Sequence, residues 1–70
     1  MEVLVFKTSV DELSVRTLKP ELDQLAGKGK WNFDLSDCDR ILRIASAQVK
    51  AESAIELLSY FGFACAELED

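Results

Sequence analysis

The sequence predicts an α+β fold of element order strand, helix, strand, strand, helix, strand (βαββαβ), with four strands in one antiparallel sheet and two helices on one of its faces. Three observations carry the expectation. The chain opens on an apolar strand run, Val3-Leu4-Val5-Phe6. Two stretches with helical apolar spacing follow Ser9 and Lys50, and each ends near a glycine. Between them, Trp31-Asn32-Phe33-Asp34-Leu35 alternates strictly and is followed across a polar turn by a second strand pattern.

Residues 3–8 read as a strand in which Val3 and Val5 share one face while Leu4 and Phe6 share the other. Apolar residues on both faces suit a central strand. Ser9 and Glu12 have the spacing of a capping box, which predicts a helix start at about Val10. From there Val15, Leu18, Leu22 and Leu25 form one apolar stripe, with Arg16, Lys19, Glu21 and Asp23 on the wet side. Pro20 falls inside the stripe, and its continuity on both sides favours one kinked helix over two short ones. Ala26-Gly27 ends it.

The alternating strand over Trp31 to Leu35 and the run Arg40-Ile41-Leu42-Arg43-Ile44 are joined by Ser36-Asp37-Cys38-Asp39, which predicts an antiparallel hairpin. Lys50-Ala51-Glu52-Ser53 opens the second helix. Ala51, Ala54, Ile55, Leu58 and Phe61 keep helical spacing along it, and Gly62 stops it. Phe63 to Leu68 closes the chain as a short strand. Two split βαβ halves of this kind predict the ferredoxin-like plait, a four-stranded antiparallel sheet with both helices on one face.

Seventy residues make one domain, 1–70, because a chain of this length buries roughly 60 % of its unfolded surface in a single modest core. Thirteen acidic against eight basic side chains give a net charge of -5, which repels phosphate backbones and anionic headgroups. Nucleic acid and membrane are therefore not expected as partners. Apolar runs are far shorter than the roughly 20 residues of a spanning helix, and the expected location is the cytoplasm. Cys38 and Cys65 lie too far apart in sequence for a local zinc or redox motif.

The chain resembles the heavy-metal-associated domain family, the fold of small copper chaperones and of the soluble repeats in metal-pumping ATPases. The likeness covers nearly the whole chain and rests on length, element order and two passages. Leu25-Ala26-Gly27 leading into Trp31-Asn32-Phe33-Asp34-Leu35 is similar to the family's helix-to-strand passage, and Ile55 and Leu58 before Gly62-Phe63 are similar to its second-helix ending. The family binds soft metal through Met-x-Cys-x-x-Cys in the first loop. Counted back from Gly27, those cysteines fall at Asp11 and Ser14, and neither is a thiol. The resemblance thus implies the scaffold, and no metal ligand carries over from it.

The residues leave three candidate features. Asp11, Glu12, Asp37 and Asp39 are expected at one end of the sheet together with Cys38, where they could hold a hard cation or meet a basic partner. Helix capping and turn chemistry account for the same carboxylates. Cys38 is expected at the hairpin tip and Cys65 in the last strand, and the sheet order 4-1-3-2 that the resemblance implies puts strands 2 and 4 on opposite edges, so the two thiols lie too far apart for a disulfide. Finally, some apolar residues of the strands must point away from the helices, which suggests a protein partner or a weak homodimer through the open sheet face.

Catalysis finds little support. The chain has no histidine for acid-base work and no glycine-rich phosphate loop. Trp31 and Phe33 read as core, since a base-stacking sheet would carry basic residues. The expectation is a non-catalytic accessory or interaction domain without cofactor. The alternative is a divergent metal-binding accessory protein that uses the acidic loop residues or a single cysteine. A small-molecule sensor with a pocket between paired sheets is a third reading.

Overall fold

The computed structural model describes residues 3–36, 38–46 and 48–68. The elements run β1 (Leu4–Thr8), α1 (Glu12–Ala26), β2 (Trp31–Asp34), β3 (Ile41–Ile44), α2 (Ala51–Tyr60) and β4 (Cys65–Glu67). The strands form one sheet of order β2-β3-β1-β4, which reads 4-1-3-2 from the β4 edge. Every neighbouring pair is antiparallel.

Register decides which residues the helices cover. Leu4 lies opposite Ile44 and Phe6 opposite Leu42, while Trp31 and Phe33 meet the same two β3 residues from the other side. These side chains share one face, together with Thr8 and Cys65, which are paired in the register of β1 and β4. Phe6, Leu42 and Ile44 are fully buried with Leu18 and Leu22 of α1 and with Ala54 and Leu58 of α2. Both helices therefore close over the same face. Each fully buried leucine contributes about 1.5–3 kcal/mol by leaving water.

Four local expectations are corrected. Helix α1 begins at Glu12, two residues later than the capping box placed it, because Asp11 is the cap: its Oδ1 accepts the Ser14 N–H at 2.8 Å. Ser9 instead accepts the Ala64 N–H at its Oγ, at 2.9 Å. Strand β3 starts at Ile41 because Arg40 has φ 47°, a left-handed conformation that no strand residue adopts. Strand β4 is shorter than Phe63 to Leu68 because the Phe63 N–H turns back to the Leu58 carbonyl, at 2.9 Å.

That last bond belongs to a Schellman ending. The Gly62 N–H bonds the Ser59 carbonyl at 2.9 Å, and Gly62 takes φ 87°. Pro20 lies on an exposed stretch of a single continuous helix. Asp23, expected on the wet side of that helix, is half-buried and latches it to the sheet: Oδ1 accepts the Trp31 indole N–H at 2.9 Å, and Oδ2 meets Lys19 Nζ at 2.9 Å. The indole tip of a half-buried tryptophan needs such an acceptor. Among the described residues, no helix is long and apolar enough to cross a membrane.

Candidate functional site

The segment after β1 gathers three parts of the chain at one end of the sheet. The Thr8 N–H bonds the Asp39 carbonyl at 3.1 Å, and the Ser9 N–H bonds the Ala64 carbonyl at 3.2 Å. The β2–β3 hairpin and the turn before β4 are thus tied to the β1–α1 junction. Thr8 is central to it. Its side chain is 7 % exposed, donates to the Arg40 carbonyl at 2.7 Å and accepts the Val10 N–H at 3.2 Å. One hydroxyl bridges two loops, and Val10 is locked beneath them with no exposure.

Two carboxylates of this end, Asp11 and Asp39, already face cations. Hydrogen bonding from Ser14, through its side chain and then its backbone N–H, holds the Asp11 carboxyl below its ordinary range, and the charge of Arg40 adds to the effect. Arg40 Nη1 also reaches the Val10 carbonyl at 3.4 Å. Arg40, Asp11, Glu12, Val10 and Leu35 line a depression of about 170 Å³. Asp39 pairs with Lys7 at 3.5 Å, with both groups well exposed, so the pair adds little stability.

Asp11 and Ser14 therefore do not fit a thiophilic ion. Asp11 and Ser14 are bonded to each other as a helix cap beside a guanidinium, and an oxygen pair of this kind offers a soft metal nothing. Among the described residues, no three of His, Cys, Asp and Glu converge as a metal group. Asp37 lies outside the described residues. Glu12 opens α1, and Cys38 is an exposed free thiol in the hairpin turn.

Cys65 is the other free thiol, half-buried on the helix-covered face. Burial pushes it up to about 11, so it stays protonated at neutral pH and is a poor nucleophile.

The face turned away from the helices divides into two halves. On the β2 side, Asp34 and Arg43 approach within 3.9 Å, and Lys7 and Asp34 lie directly opposite Ile41, which is only 6 % exposed. On the β4 side an apolar strip runs beside Lys7, which lies directly opposite Ala66. Leu68 donates its N–H to the Val5 carbonyl at 2.8 Å, so those two side chains stand abreast, with Val3 and Ala66 beside them in the alternation. Val3 is 52 % and Leu68 41 % exposed.

Sequence reasoning brought the three loops together but missed Thr8, Arg40 and Asp23. A threonine at the end of an apolar strand looks like the strand's last residue, and only packing turns its hydroxyl into a bridge. Asp23 left one usable signal, its spacing of four from Lys19. No protein-family model, curated protein or solved structure matches the chain.

Proposed function

We infer that this domain is a non-catalytic interaction or accessory module on a ferredoxin-like plait, similar to a metallochaperone scaffold without its thiol site. It meets a protein partner, or weakly a second copy of itself, through the open sheet face. The apolar strip of Val3, Val5, Ala66 and Leu68 on the uncovered side of β1 and β4 carries the reading. The Asp11 and Ser14 cap supports its second half, because the first loop spends those residues on starting a helix.

Magnitude sets the strength of association. Completing the burial of Val3 and Leu68 yields about 1 kcal/mol each at 25 cal/mol per Å². Doubled across a symmetric contact, this barely offsets the roughly 4–15 kcal/mol lost in rigid-body freedom. The strip alone therefore sustains only a weak dimer, and a tight complex needs a partner that brings further contacts.

Sedimentation velocity over a wide concentration range tests the self-association arm. The expected result is a reversible shift in sedimentation coefficient at high concentration that Leu68→Lys removes. A monomer at every concentration refutes that arm. A parallel melting series with Ca²⁺, Mg²⁺, Zn²⁺ and Cu(I) tests the rest. A melting temperature that rises with the logarithm of cation concentration would overturn the reading in favour of a metal-binding protein.

A further inference from the structure

The helical layer carries a second surface, on the side of the domain opposite the open sheet face. Helices α1 and α2 part along a groove of about 440 Å³ lined only by their own residues. Leu25 and Leu57 are half-buried, pack against the core and supply its apolar floor. Glu21, Gln24, Glu56 and Tyr60 rise around it. Tyr60 is 84 % exposed, and its ring meets Phe61 edge-on with centroids 5.3 Å apart. A large aromatic held beside an apolar floor, with its face still in water, is the kind of group that anchors protein contacts.

Charge identifies the occupant. Both charged residues lining the groove are glutamates, and the ion pairs among the described residues engage Asp23, Asp34 and Asp39 instead. The net charge of -5 adds a background field of the same sign. We propose that the α1/α2 groove docks a short basic segment of a partner protein, in which one aliphatic or aromatic side chain is flanked by lysine or arginine.

The apolar side chain seats on Leu25 and Leu57 against the Tyr60 ring, and the flanking cations meet Glu21 and Glu56. The volume is near the lower end of that found for small binding pockets, which suits one anchoring side chain and its neighbours' stems. A second copy of this chain would bring the same carboxylates to the contact, and like charges oppose it. Phosphate-bearing ligands are repelled for the same reason. This surface is separate from the sheet strip, so either can fail without the other.

The test is a titration of the full chain with a short synthetic peptide bearing one leucine between pairs of lysines, followed by backbone amide NMR shifts. Shifts confined to Glu21, Leu25, Glu56, Leu57 and Tyr60, weakening as salt is added, are the expected result. The double variant Glu21→Gln/Glu56→Gln binds about tenfold more weakly, as does Tyr60→Ala, each matching a loss of about 1.4 kcal/mol. All three positions border solvent, so the variants keep the fold, which the unchanged remainder of the spectrum verifies. Leu68→Lys on the sheet face leaves peptide binding unaltered.

The proposal is overturned if the lysine peptide produces no localised shifts at millimolar concentration, or if a glutamate version binds equally well. It is also overturned if groove shifts appear with protein concentration alone, which would make a second copy the occupant.

Discussion

Removing the Thr8 hydroxyl while keeping its shape is the most discriminating perturbation of this fold. Thr8→Val substitutes a methyl for the hydroxyl at a site 7 % exposed, so volume and apolar burial barely change. What changes is the bonding. The Val10 N–H loses its 3.2 Å acceptor and the Arg40 carbonyl its 2.7 Å donor. Each buried group left without a partner costs about 1–3 kcal/mol, and the Arg40 carbonyl, nearer solvent, can recruit water. The expected destabilisation is about 1–3 kcal/mol, carried mainly by the Val10 N–H. At a urea slope of about 1 kcal/mol/M for a domain this small, the midpoint falls by roughly 1–3 M. Thr8→Ser keeps the hydroxyl and loses one methyl, which costs about 1 kcal/mol or less. Equilibrium urea unfolding followed by Trp31 fluorescence measures both. If Thr8→Val unfolds at the wild-type midpoint, or Thr8→Ser loses as much as Thr8→Val, the hydroxyl is not the link between the two loops.

Three further outcomes follow from the same structure. Pro20→Ala restores a hydrogen bond inside α1, where an interior proline costs about 3 kcal/mol and repays under 1 kcal/mol through the unfolded chain; a thermal melt should rise by several degrees, and an unchanged melt would show that the helix already accommodates the ring. A thiol reagent at neutral pH should modify Cys38 quickly and Cys65 only on unfolding, because burial holds Cys65 near 11, so Cys38→Ser should leave a native protein almost silent; two fast thiols would refute the burial of β4's inner face. Hydrogen bonds from Lys19 and then Trp31 hold Asp23 below 3.8, as those from Ser14 hold Asp11. Depressed carboxyls add stability above the unfolded value of 3.8 and lose it as pH falls through their folded values. Urea midpoints should therefore drop below pH 3.8, less steeply in Asp23→Asn, and identical slopes would sink the latch.

The fold was legible because its elements are marked by local rules. The stripe of Leu18 and Leu22, the alternation of Trp31 and Phe33, and Gly62 at a left-handed position each follow from spacing or backbone sterics. The errors share a cause too. Ser9 and Asp11 both have a side-chain oxygen that can cap a helix, and sequence spacing favoured the serine. Tertiary packing favoured the aspartate, because Ser9 is needed to bond Ala64, fifty-five positions away. Arg40 had a strand's neighbours, yet its carbonyl is claimed by Thr8 and its backbone turns through φ 47° to deliver it.

The candidate surfaces divide in the same way. Periodicity by itself determined which residues share a face of each strand and helix, and the lack of thiols at Asp11 and Ser14 could be read from the chain alone. Only the tertiary structure decided that Val5 and Leu68 stand abreast on the uncovered face, since strand register depends on partners far away in sequence. The same holds for Leu25, Leu57 and Tyr60, which line one groove only because the two helices pack side by side over Phe6, Leu42 and Ile44. Local bonding rules act within a few residues and leave their mark on the sequence; burial and charge act between segments, and take effect only once the chain has closed.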